Sequence, residues 1–417
     1  MLVVLFRLLL SLGLSVSVLL PPVQAYSQFT HEELIDLVWT GSIRPLLLQR
    51  YPHASEAALN RAHAFAYGGS LIQDVGYYPF GNRLFSDLTH YVRSGDFVVA
   101  MIRDAHTIDE LAFAIGALSH YLGDSIGHSQ AVNPATADEF PKLEKKFGPI
   151  VTFEEAPAYH ARTEFGFDVT QTAWQRYASV RYRERIGFRV ARRLLYRAFQ
   201  ETYGISPRGI LGPVRSGLPS YRWSITWLLP AFLGAEVVRL RARLPLEIRK
   251  PTESEFIASV SKAEYNTLYH DPFFKPGVGS HVLATAITII PKIGRLKILD
   301  VEPPNSATED LFLASVDHAV TGLRESLERL RTDQDPILNL EDLDLDTGAP
   351  VVPGRSASLD QTYAELLFRV TSRRTPPSAA VRTVLLDYYS NGAGEFSDRY
   401  EEKMARRIER AIAVLSR

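Results

Sequence analysis

The 417-residue sequence contains no cysteine. Disulfide partners and thiolate metal ligands are therefore excluded, and any metal site has to be assembled from histidine, aspartate and glutamate. Neither sign of charge is in excess, with 46 basic against 47 acidic residues and a formal net charge of −1. Bulk attraction to nucleic acid or to an anionic membrane is excluded with it, so such a partner would need a local patch. Long apolar runs are missing after the first 25 residues: Trp223 to Ala235 is short and broken by Pro230, and His281 to Ile290 is shorter still. Strand-like alternation of apolar and polar residues is almost absent.

What is present begins with a separate N-terminal object. Arg7 is its only charge, Leu8 to Leu20 form an apolar run, and Val23-Gln-Ala25 offers a small residue before Tyr26. This reads as a secretory signal peptide over residues 1–25, cleaved after Ala25, and implies a secreted or periplasmic protein. Val23 departs from the small-x-small rule, which leaves an uncleaved anchor as the alternative.

From Thr30 to about Gln200 the sequence reads as successive helices, so the expected fold class is all-α. Thr30 with Glu33 suggests a capping box on a helix through Leu37. Ser55 opens a second helix that Gly68-Gly69 would end, and 76–82, rich in glycine and aromatic residues, reads as a loop. Helical spacing resumes from Leu84 to Val92, Thr107 caps a long helix, and Ala156 to Ala173 forms another. Beyond residue 200 the signals loosen. Pro207 to Pro219 and Asp271 to Ser280 are turn-rich, Val282 to Val301 suits a strand or a buried segment, and Asp333 to Ser358 reads as an exposed acidic loop. Helices are expected again over 307–331, 360–371, 379–390 and 396–415. The expected division is a catalytic domain over 26–205 and a mostly helical region of unknown role over 206–417.

The chemistry concentrates in the first domain, since eight of the eleven histidines lie between His31 and His160. His120, Asp124 and His128 follow at four-residue steps on the long helix, stacking nearly on one face. Two imidazoles flanking a carboxylate suit zinc. The competing account, a solvated polar stripe, is weakened by Ile108, Leu111, Ala112, Ile115, Leu118 and Leu122, which should bury this helix. His160 and Glu164 repeat the spacing on the next helix, although such pairs are often no more than an exposed hydrogen bond. Asp74 sits where a helix gives way to the loop, and His90 on a helix whose other side is apolar. After cleavage Tyr26 would present a free amine and its own carbonyl, which can chelate a metal together with His31.

This ordered set resembles the motif series of the zinc-dependent phospholipase C superfamily, which also includes single-strand-specific nucleases and the zinc domain of GPI-specific phospholipase D. The matching positions are Tyr26, His31, Asp74, His90, His120 with Asp124, His128, and His160 with Glu164. The five-residue step from Tyr26 to His31 resembles the nuclease and GPI-phospholipase branches, and the four-residue step from Asp124 to His128 resembles the latter. The similarity spans about Tyr26 to Phe167. It implies an α-helical fold holding three zinc ions. One would take Asp74, His90, His120 and Asp124, a second His128, His160 and Glu164, and a third Tyr26, His31 and the bridging Asp124. It further implies hydrolysis of a phosphate ester by in-line attack of water, with Asp74 both ligand and candidate general base.

The substrate stays open at this level. Tyr77, Tyr78 and Phe80 could form an aromatic wall that stacks a base or encloses a quaternary ammonium headgroup, or could simply pack the loop. Eight arginines between Arg176 and Arg197, interleaved with aromatic residues, could grip anionic lipid or nucleic acid. The blander account is a solvated face paired with acids such as Glu341 to Asp346. Three functions follow: a phospholipase C-like phosphodiesterase in peripheral contact with a membrane, a nuclease or nucleotidase on the same metals, or a non-catalytic module stabilised by zinc.

Overall fold

Helical periodicity is realised along nearly all of the computed structural model, which describes residues 27–78, 80–174, 176–178, 180–210, 217–241, 277–292, 294–332, 338–373, 376–391 and 402–417. The proposed signal peptide and Tyr26 lie outside the described residues. In chain order the first helices are α1 (Gln28–Val38), α2 (Arg44–Arg50), α3 (Glu56–Ser70), α4 (Arg83–Tyr91), α5 (Ser94–Arg103) and α6 (Ile108–Gly127). Next come α7 (Asn133–Glu139), α8 (Pro141–Phe147), α9 (Pro157–Ala173), α10 (Val180–Ile186), α11 (Arg192–Tyr203), α12 (Gly217–Trp223) and α13 (Leu229–Arg241). The last are α14 (Val278–Ile289), α15 (Ser306–Thr332), α16 (Ala357–Thr371), α17 (Ala379–Asn391) and α18 (Glu402–Leu415). The fold is all-α. Among the described residues the only strands are a short hairpin, β1 (Leu343–Asp344) and β2 (Ala349–Pro350), and no helix is long and apolar enough to cross a membrane.

Where the sequence signals are local they hold. Ser55 accepts from the Ala58 amide at 3.2 Å and Thr107 from the Glu110 amide at 3.2 Å, each satisfying a donor that the first helical turn leaves open. Thr30 is different: it lies inside α1 and its hydroxyl donates to Asp168 at 2.7 Å. Asp168, on α9, also accepts from the Phe29 amide at 2.9 Å, so a distant carboxylate does the capping in place of the expected box.

Gly68 and Gly69 do not end α3, which runs on to Ser70. They are needed because neighbouring backbone lies against them: a Cβ on Gly69 would stand 1.9 Å from the Phe113 carbonyl oxygen, and one on Gly116 of α6 would stand 2.1 Å from that of Ala66. The tight α3–α6 crossing forms the centre of an apolar core that continues from Phe29 to Leu415. α15 packs along α6 and α1.

Two readings of the later chain are corrected. Residues 278–289 form a helix, because Ala284 and Ile287, three positions apart, share one buried face. The acidic segment from Leu338 onward is not an exposed loop. It folds inward through the hairpin, with Asp344, Leu345 and Asp346 buried and the Leu345 amide donating to the His90 carbonyl at 3.1 Å.

Candidate metal centre

His120 and Asp124 of α6 and His128 just beyond its end share a stripe but do not share one cluster. At 3.6 residues per turn each four-residue step advances about 40° around the axis, so His128 points roughly 80° away from His120. α6 ends at Gly127 and His128 opens a π-helical turn, His128–Val132. Two clusters result, with Asp124 between His120 and His128 along the stripe.

In the first cluster Asp124 reaches two sets of imidazoles with its two oxygens. Oδ1 lies 3.1 Å from His31 Nε2, and Oδ2 lies 3.0 Å from His120 Nε2 and 3.2 Å from His90 Nε2. Asp74, on the single 3-10 turn Gln73–Gly76, brings Oδ1 to 3.3 Å from His90 Nε2. His31 can approach because Gly123 has no side chain; a Cβ there would sit 3.3 Å from its ring. The outward nitrogens of His90 and His120 are anchored to backbone, Nδ1 donating to the Ser86 carbonyl at 2.8 Å and to the Ser70 carbonyl at 2.9 Å. A carbonyl can only accept, so in the neutral rings both Nε2 atoms carry lone pairs, and they converge to 3.4 Å.

The second cluster joins His128 with the α9 pair. His160 Nδ1 is 2.7 Å from Glu164 Oε1, and His128 Nε2 is 3.9 Å from the same oxygen. Its tautomer follows from the bonding chain behind it. Asn133 Nδ2 donates to the Asp346 carbonyl at 2.7 Å, which turns Asn133 Oδ1 toward His160 Nε2 at 2.8 Å. Oδ1 only accepts, so Nε2 holds the proton and Nδ1 presents a lone pair to Glu164.

Electrostatics separate the clusters. For His90 and His120 burial works against the charge, but Asp124 and Asp74 outweigh it and raise both above the ordinary imidazole value. Burial pushes Asp124 up, yet the three imidazoles hold it well below the usual carboxylate range. Burial instead lowers His128 to about 4 and carries His160 well below its ordinary value. Burial, reinforced by Asp124 and Asp74, pushes Glu164 well above its own.

These donors fit a divalent cation. Both ring nitrogens of His128 and both oxygens of Glu164 are buried without a hydrogen bond, as is Asp74 Oδ1. Buried polar atoms in that state are costly unless something binds them. Three groups have ligand atoms within 4.8 Å of one another: Asp74, His90 and His120; His31, His120 and Asp124; and His128, His160 and Glu164. Imidazole with carboxylate is a donor set that zinc accepts. All eight described residues of the sequence-derived ligand set thus fall into these groups, with His120 common to two of them.

The arginine run divides: Arg185, Arg189, Arg192, Arg193 and Arg197 face solvent as expected, whereas Arg176 and Arg183 do not. Arg176 is buried and pairs with Glu309 at 2.6 Å, and Arg183 pairs with Glu32 at 2.7 Å and Glu33 at 3.1 Å. The acids of this buried pair come from α1 and α15, while Asp346 of the Glu341–Asp346 segment turns toward His128. Tyr77 and Tyr78 are also packed, the first donating to Asp87 and the second against the Tyr221 ring at 4.8 Å. Among the described residues of the loop Phe80 alone is exposed, at 72%. Sequence reasoning missed Asn133 and Asp346; the acidic run was the only available signal.

Residues 30–207 match the family model described as zinc dependent phospholipase C, and this region belongs to that family. No curated protein and no solved structure matches the chain. With the buried metal-capable clusters, family membership marks the region as a zinc phospholipase-like hydrolase domain.

Proposed function

We propose that the protein is an exported phosphoric ester hydrolase that acts on phospholipid through three zinc ions held by Tyr26, His31, Asp74, His90, His120, Asp124, His128, His160 and Glu164. The observation that carries the reading is Asp124, whose two oxygens face separate imidazole sets from a fully buried position. When bound, zinc supplies Lewis acidity and lowers the pKa of a coordinated water toward neutrality. The chain's part is to hold unprotonated nitrogens inward, which the Ser70 and Ser86 carbonyls and Asn133 accomplish, and to keep the cluster dry. Asp74, less enclosed than Asp124, is the candidate base for the attacking water.

Phospholipid is favoured over nucleic acid by two observations. The arginine–aromatic run that would have gripped a polynucleotide keeps Arg185, Arg189, Arg192, Arg193 and Arg197 exposed, but Arg176 and Arg183 turn inward onto glutamates and Tyr177, Tyr182 and Phe188 are buried, so the exposed arginines lack those rings as a stacking platform. Phe80 and Trp227, 72% and 69% exposed, are suited to peripheral contact with a lipid interface. In this account the catalytic domain spans residues 26–205, and the hairpin and α15 of the remaining chain pack against it. Hydrolysis of phosphatidylcholine vesicles and of single-stranded DNA by the zinc-loaded mature protein provides the test. Release of the phosphorylated headgroup is expected; cleavage of DNA alone would assign the site to a nuclease, and zinc retention with neither activity to a structural module.

A further inference from the structure

The β1–β2 hairpin lies beyond the family-matched region, yet it approaches one imidazole of the second cluster directly and the other through Asn133. Asp346, at its turn, is 3% exposed and brings Oδ1 to 3.6 Å from His128 Nδ1. Its other oxygen accepts from the Tyr91 hydroxyl at 2.5 Å, which fixes the carboxylate's orientation. The same residue's backbone carbonyl holds Asn133, which in turn holds His160. Gly348 lets the turn seat this deeply: it has φ +64°, and a Cβ there would lie 2.2 Å from the Ser125 carbonyl oxygen.

We infer that Asp346 is a positioning residue for the His128–His160–Glu164 metal site, orienting His128 through its carboxylate and His160 through its backbone carbonyl and Asn133. Oδ1 stands 3.6 Å from Nδ1, just outside hydrogen-bond distance, and closing that gap when a cation is held at Nε2 would select the tautomer whose Nε2 lone pair faces Glu164; such partners typically change metal affinity by about 10- to 100-fold. The hairpin thus makes a remote part of the chain an integral piece of the site. This rests on the metal assignment proposed above.

The test measures zinc per chain in the full-length mature protein under graded chelator competition, beginning with His128→Ala. Loss of one ion in that variant establishes the site; unchanged zinc content would overturn the metal assignment itself. Asp346→Asn preserves size and an acceptor for Tyr91. It is expected to release the same single ion at about 10- to 100-fold lower chelator concentration while the other ions stay. Tyr91→Phe, which leaves the carboxylate beside His128, should cost less than Asp346→Asn. The 15N signals of His128 in the loaded protein should show a protonated Nδ1 that Asp346→Asn perturbs. A single ion lost in His128→Ala but held by Asp346→Asn as tightly as in the unmutated protein would overturn the role of the hairpin.

Discussion

The two halves of the centre use similar residues and are built in opposite ways. Around Asp124, the imidazoles of His90 and His120 are tied to backbone carbonyls of Ser86 and Ser70 and face carboxylates that raise their proton affinity. Around Glu164, His128 and His160 are backed by side chains and a hairpin, and burial strips them of protons. The first half carries fixed negative charge toward its cations. The second presents neutral rings and a carboxyl that holds its proton until a cation displaces it. The first is assembled from α1, the Gln73–Gly76 turn, α4 and α6, all within the family-matched region except the start of α1; the second depends also on residues far along the chain.

Asp124→Asn should strike hardest because its oxygens face both imidazole sets of the first half. Phosphate ester hydrolysis is expected to fall by on the order of 10³-fold or more, with zinc content lowered. Unchanged activity would remove the bridge on which the comparison stands. Glu164→Gln should act on one half only, releasing one ion and lowering kcat/KM by roughly 10²-fold; joint loss of every ion would show that the halves are not separable.

Removing zinc with a chelator should make stability fall as pH rises from about 6.5 to 9. In the folded chain His90, His120, Glu164 and Asp346 hold protons above their ordinary values, Asp346 up to about 8 through burial and the neighbouring Asp344. The stability linked to those protons is present at lower pH and is lost as pH passes through the raised values. Thermal unfolding of the zinc-free and zinc-loaded forms across this range checks it, the stabilisation by zinc growing with pH. A gap that narrows toward pH 9 would contradict the charge assignment.

Gly348→Ala should cost about 1–3 kcal/mol, since it combines a positive φ with backbone contact, and should loosen zinc in the second half alone. Chemical denaturation and chelator competition measure the two effects. Ser55→Ala removes a helix cap remote from both halves and should cost about 1 kcal/mol with no change in zinc affinity. It sets the baseline for destabilisation without a metal effect.

Much of this was readable in the sequence because four-residue spacing on a helix is a local rule. His120 with Asp124 and His160 with Glu164 come together for that reason alone, and the caps at Ser55 and Thr107 form as their sequences suggest. The misreadings share a different cause, tertiary contact overriding local preference. Gly69 serves a helix crossing and Gly68 the close approach of the Arg189 backbone, Asp168 replaces the Thr30 box, and the buried charges of Arg176 and Arg183 find glutamates distant in sequence. Backbone carbonyls such as those of Ser70 and Ser86 leave no mark in side-chain patterns. Asp346 looked like one solvated acid among several, and only the glycine-permitted seating of its turn brings it to His128.

Anomalous diffraction at the zinc absorption edge from crystals of the mature protein tests the central claim most directly. Three peaks are expected: among Asp74, His90 and His120, between His31 and Asp124, and among His128, His160 and Glu164. Peaks confined to one half, or lying away from these residues, would contradict it.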